Sequence, residues 1–231
     1  MAKMYKILTK SRKSVTAFRF GDADSPFKWP PVGEWPEPVE YVEACVSGYH
    51  LTNAGGICQW ADEGMVVYEA EGKGASDKSE YQDGGKIAYE QARLTREVGT
   101  VTRSAILRAS AEIVEEAITK SKLSAASTSF MQVIEEAKEA SPCSPSDTVK
   151  SCSEMASYFG DPACAIRRLA LMMMVVCDYA ACIREADVSS LLYATHRASG
   201  ENYSDLSSKF SRRLLKHISA QHTQQADEVS E

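Results

Sequence analysis

The sequence predicts an α+β chain, with a small β-rich N-terminal domain followed by an all-α helical bundle. Two observations predict it. The first hundred residues hold all three tryptophans, five of the eight prolines and eleven of the thirteen glycines, and the remainder is rich in Ala, Ser, Leu, Met and Cys. Aromatic and β-branched residues suit pleated strands, Gly and Pro suit turns, and Ala, Leu, Met and Glu suit helices. The expected division is a β-rich α+β head over 1–99, a helical bundle over 100–219 and a disordered tail over 220–231.

Within the head, Met4 to Leu8 and Val15 to Phe20 read as a hairpin, since a polar stretch separates two short β-branched and aromatic runs. Pro26, Pro30, Pro31, Pro36 and Pro38 exclude helix or central strand. With Trp29 and Trp35 among them, this segment reads as a self-packed loop pinned by its indoles. Val39 to Cys45 alternates like a strand, Gly48 to Leu51 follows a turn, and Asn53 is placed to cap a short helix carrying Ile57 and Trp60. Met65 to Glu71 is the clearest strand, with Val66, Tyr68 and Ala70 on one face. A mobile loop is expected over Gly72 to Gly85, and a long strand over Ile87 to Val98, giving five or six strands and one small helix.

In the body, Thr100 or Thr102 is expected to cap a helix carrying Ile106, Ile113 and Val114, and a second helix contains Phe130, Val133 and Ile134. A hinge follows at Ser141 to Ser146, and Asp147 and Asp161 are each placed to cap a further helix. The run Leu169 to Cys177 has no polar break, so its helix should be central to the bundle or to a subunit interface. Asp187 and Asn202 cap two more, and in the last one Leu206, Phe210, Leu214 and Ile218 line the buried side.

Composition narrows function. Twenty-six basic against 32 acidic residues give a net charge of −6, with 12 and 15 of them in the first hundred residues. Neither half is a polycation, so nothing general favours nucleic acid or an anionic membrane. The seven cysteines are read as reduced, buried thiols, no stretch reads as a secretory signal, and no apolar run reaches the length of a membrane span. The expectation is a cytoplasmic protein without cofactor or metal.

Tyr5-Lys6, Gly48-Tyr49-His50-Leu51, Tyr68-Glu69-Ala70-Glu71 and Glu90-Gln91-Ala92-Arg93-Leu94 together resemble an uncharacterised N-terminal domain found in phage and bacterial proteins, often followed by Ala-rich helices. The resemblance implies a domain boundary near residue 98 and a phage or bacterial origin. It implies no site.

Three constellations bear on chemistry. Glu69 and Glu71 with Ser127-Thr128-Ser129 resemble elements of ADP-ribosyltransferases, but the serine triplet there precedes the glutamates and here follows them. A set in the right order is His50, Tyr68 and Glu90. Cys45, His50 and Cys58 lack the tight paired spacing of a zinc site, and Cys177 and Cys182 have no histidine base on their helix. Finally Lys209, Arg212, Arg213 and Lys216 form a basic stripe beside the apolar face of the last helix, able to meet an acidic groove or phosphates.

No catalytic set is complete, whereas an all-apolar helix, abundant Met and a loop bearing Trp29 and Trp35 suit contact surfaces. The sequence therefore favours a non-enzymatic interaction protein that binds a host or phage protein and forms homo-oligomers, with inhibition of a bacterial defence system as its role. An ADP-ribosyltransferase-like enzyme acting on protein or nucleotide is the alternative.

Overall fold

The computed structural model describes residues 3–14, 27–44, 46–78, 86–120, 191–193, 195–196 and 199–229. The strand Val15 to Phe20, the helices expected between 121 and 190, Ser127 to Ser129, Cys45, Cys177, Cys182 and the apolar run Leu169 to Cys177 lie outside them. Among the described residues there are four strands: β1 (Met4–Leu8), β2 (Tyr49–Asn53), β3 (Val66–Lys78) and β4 (Ile87–Thr100). A short 3-10 helix, Ala54–Gln59, follows β2, and two long helices follow β4: α1 (Arg103–Lys120) and α2 (Tyr203–Val229).

The strands pair antiparallel throughout and close into a barrel in the order β1-β2-β4-β3. So few strands close because β3 and β4 are long and bent. Register shifts at Val67/Tyr68, Glu69/Ala70 and Lys73/Ser76 add local twist to their ladder. Val66, Tyr68 and Ala70 turn inward with Leu8, Trp29, Tyr49, Leu51, Ala92 and Leu94 to form one apolar core.

Two glycines explain why β3 runs on to Lys78, where the sequence suggests a loop from Gly72. A Cβ on Gly72 would collide with the Tyr89 ring, and one on Gly74 with the Glu90 side chain. Gly74 also has φ +77°, a left-handed conformation suited to glycine in a bulge. The opposite error occurs at Val39 to Cys45. There the described residues make only an isolated bridge, Glu43 to Ser47, whose tight turn prevents extended pairing.

The proline-rich segment packs on its own domain. Gly33 and Val39 donate backbone hydrogen bonds of 2.8 and 3.0 Å to the carbonyls of Leu94 and Glu90 on β4. Gln91 Nε2 reaches back to the Pro36 carbonyl at 2.6 Å. These bonds cover a stretch of β4 edge beyond its pairing with β2.

The expected fold class, a β-rich domain followed by an all-α bundle, is corrected by this architecture. The described region is a four-stranded antiparallel barrel with a C-terminal helix, and the change of composition near residue 100 is not the end of the barrel unit. Two compact units divide the chain as Met1–Val101 with Ile218–Glu231, and Thr102–His217. Residues 218 onward group with the strands because β4 requires cover. A Cβ placed on Gly99, at φ +143°, would stand 3.0 Å from His222 Cβ and 3.1 Å from Ile218 Cγ2. Helical structure continues to Val229, where a tail from 220 is expected. Gly99→Ala should therefore lower the unfolding free energy by about 1–3 kcal/mol, from overpacking and backbone strain, as measured by urea denaturation.

Within the second unit two of the expected caps are present, and Asp147, Asp161 and Asp187 lie outside the described residues. Thr102 Oγ1 accepts from Ala105 N at 3.1 Å and Asn202 Oδ1 from Ser204 N at 2.8 Å, each satisfying a first-turn donor. Ile106 and Ile113 on α1 and Leu206, Phe210 and Leu214 on α2 are all buried. No helix of the described residues is long and apolar enough to cross a membrane.

Candidate functional site

The barrel wall is thinnest between β1 and β2. Only Met4 with Asn53 and Tyr5 with Thr52 pair there, after which the strands part. Strand alternation puts Lys6 on the same side as Met4 and Leu8, which pack in the core, and the residue itself is half-buried. Its Nζ donates to the His50 carbonyl oxygen at 3.0 Å and lies 5.1 Å from the centre of the Trp29 ring. The ammonium thus satisfies a strand carbonyl at the gap and rests on an aromatic face.

The gap leaves a small cavity of about 20 Å³, bordered by Lys6, His50, Thr52, Trp60 and Lys86, which is room for about one water. Lys86 is itself buried, with Nζ 4.8 Å from the centre of the Trp60 ring. Burial, and then the charge of Lys86, lowers the Lys6 ammonium from its ordinary value to about 7. The His50 imidazole is lowered to about 4 by burial, then by Lys86 and Lys6, against the opposing pull of a hydrogen bond to the Gly48 backbone. At neutral pH His50 is uncharged and a sizeable fraction of Lys6 is free amine.

The three residues of the catalytic alternative make different contacts. Tyr68 lies in the barrel core and hydrogen bonds Glu97, and its phenol is raised by burial and then by that carboxylate. Glu90 accepts from Ala75 N at 3.0 Å and holds the bulge at Gly74. His50 borders the cavity, so each of the three has its own surroundings. Glu69 is held at about 2 by hydrogen bonds from Arg96 and Lys3, both at 2.8 Å, and Glu71 pairs with Arg93 at 2.5 Å. Cys58 is buried in the short helix after β2.

Of the expected contact residues, Trp29 is 2% exposed and belongs to the core. Trp35 is half-buried, with Lys73 Nζ 4.0 Å and Arg93 Cζ 4.9 Å from its ring centre. The basic stripe is partly neutralised within the second unit. Lys209 pairs with Glu116 at 2.8 Å and with Glu201, and Arg213 pairs with Glu116 and, at 3.5 Å, with Glu112. Arg212 and Lys216 are exposed. His217 Nε2 lies 3.0 Å from Glu112, its pKa lowered chiefly by burial.

Lys6 and Lys86 are absent from the expected sites. A signal existed for Lys6: the inward-facing alternation Met4, Lys6, Leu8 places a charge where an apolar residue belongs. Lys86 precedes its strand and carries no such mark. Searches against protein-family models, curated proteins and solved structures find no match to this chain.

Proposed function

We propose that the chain is a non-enzymatic protein-interaction module whose contact surface is the segment from Phe27 to Gly48. One observation carries this reading. Of six exposed large apolar residues among those described, Phe27, Val32, Tyr41 and Val46 all lie on this one segment. Aromatic and aliphatic side chains offered to solvent on a fixed backbone are suited to a partner, because little ordering entropy remains to be lost on binding. The segment is fixed by its bonds to β4, by Tyr49 Oη donating to the Glu37 carbonyl at 2.8 Å, and by Ser47 Oγ donating to that of Tyr41 at 2.8 Å. Trp29 serves as its anchor and not as a contact.

The resemblance to phage and bacterial domains supports a phage-encoded accessory protein acting in the host cytoplasm, with a component of a bacterial defence system as its target. The separate surroundings of His50, Tyr68 and Glu90 speak against the transferase alternative. The test is affinity purification from expressing bacteria of the wild type and of a Tyr41→Ser, Val46→Ser double variant, with light scattering to detect self-association. A stoichiometric partner or a dimer that the wild type holds and the variant loses, with unchanged circular dichroism, is expected. A wild type that stays monomeric and alone, or label transfer from NAD that Glu90→Gln abolishes, would overturn the proposal.

A further inference from the structure

All three tryptophans carry a cation on their rings: Lys6 on Trp29, Lys73 and Arg93 on Trp35, and Lys86 on Trp60. Tyr41 is an aromatic ring without one. It is 60% exposed, and among the described residues no ring or cation contact involves it. Its hydroxyl is taken by the Glu43 carboxylate, a bond that raises the phenol above its ordinary value more than the charges of Glu43 and Asp77 do. A phenol that donates to a carboxylate has a more electron-rich face, which attracts a cation more strongly. The ring stands on a fixed turn. Ser47 Oγ donates to the Tyr41 carbonyl at 2.8 Å, Glu43 and Ser47 exchange backbone bonds of 3.1 and 2.9 Å, and Ala44 N donates to Asp77 Oδ2 at 2.7 Å. Val46, 69% exposed, lies on the same turn.

Charge around the turn is of one sign. From Trp29 to Gly72 the sequence has no lysine or arginine, whereas Glu40 precedes Tyr41, Glu43 holds its hydroxyl and Asp77 reaches the turn from β3. None of these three carboxylates makes an ion pair among the described residues. Lys78 follows Asp77 on β3, and strand alternation turns it to the opposite face. The geometry points to an Arg- or Lys-bearing segment of a partner protein as the occupant of this turn. Its cation lies over the Tyr41 ring, among the carboxylates of Glu40, Glu43 and Asp77, and an apolar neighbour of that cation packs on Val46. The same field repels nucleic acid and anionic membrane. This inference rests on the reading of Phe27 to Gly48 as the contact surface and adds the chemistry of its partner.

Selection of displayed random peptides against the full chain, then fluorescence polarisation of the enriched peptides, tests this. Enriched peptides are expected to carry Arg or Lys beside an apolar residue. Their affinity should fall about tenfold as salt rises from about 50 to about 500 mM. The triple variant Glu40→Gln, Glu43→Gln, Asp77→Asn keeps the hydrogen-bond acceptors of Glu43 and Asp77 and removes three charges. It should weaken binding about tenfold or more and remove most of the salt dependence, and Tyr41→Ser with Val46→Ser should abolish binding. If the triple variant fails to fold by circular dichroism, the peptide composition and the wild-type salt series decide alone. Enriched peptides without a cation, or affinity that the folded triple variant keeps, would overturn the inference. The contact surface would still stand if the Tyr41, Val46 variant loses those peptides. No enrichment, or peptides that bind both variants as they bind the wild type, would overturn both readings. A dimer in light scattering that excludes the peptides would overturn the inference in favour of a second copy of the chain.

Discussion

Trp29→Ala is expected to lower the unfolding free energy by about 3–5 kcal/mol, the usual cost of deleting a large buried aromatic side chain. The indole is 2% exposed and meets Phe27 and Tyr49 edge-on at 6.1 and 5.6 Å between ring centres. Its Nε1 donates to Ser14 Oγ at 3.1 Å, and its face receives the Lys6 ammonium. Truncation therefore leaves a void, removes the anchor of the proline-rich segment and strips a buried cation of its aromatic neighbour. Against a total stability of about 5–15 kcal/mol for a typical domain, the barrel would become marginal. Trp35→Ala is the control: its half-buried ring sits between Lys73 and Arg93, and its loss should cost about 1 kcal/mol. Urea denaturation followed by circular dichroism separates the two, and equal losses would contradict the assignment of Trp29 to the core.

Lys6→Met is expected to change sign with pH. The folded value of about 7 lies below the ordinary 10.5, so the native state binds fewer protons than the unfolded chain between those values. Wild-type stability from this group therefore rises as pH climbs from 7 to 10.5, by about 5 kcal/mol at most, and the full penalty of the desolvated charge applies below 7. Methionine removes that penalty but leaves the His50 carbonyl without its donor, a loss of about 1–3 kcal/mol. The variant should be more stable than wild type at pH 6 and less stable at pH 10. His50 should also titrate higher in the variant, because one of the two cations that depress it is gone. Paired denaturation curves at the two pH values check the first expectation, and histidine NMR the second. A stability difference that stays constant between them would show that Lys6 is not a buried titrating group.

Local signals were legible in the sequence where local physics decides the outcome. The caps at Asn53, Thr102 and Asn202, the inward face of Val66, Tyr68 and Ala70, and the buried row Leu206, Phe210, Leu214 and Ile218 follow from side-chain chemistry and period. Contacts between distant residues were not legible. Gly72 and Gly74 read as loop residues until Tyr89 and Glu90 occupy the space their missing side chains leave. Lys209 and Arg213 read as a free stripe, yet their partner Glu116 is 93 and 97 residues away in sequence. The same holds for Ile218 and His222, which belong with β4 although composition assigns them to the helical half. At the candidate site, His50 is singled out for a catalytic set, but its charge is set first by burial and then by lysines from β1 and from the residue just before β4.

The most direct test of the interrupted wall and its buried ammonium is an NMR titration of the lysine side chains, with Lys6→Met used for assignment. The expected result is a lysine signal that titrates near pH 7 and vanishes in the variant. If every lysine instead titrates near its ordinary 10.5, the Lys6 ammonium is in water and the wall between β1 and β2 is closed by some other means.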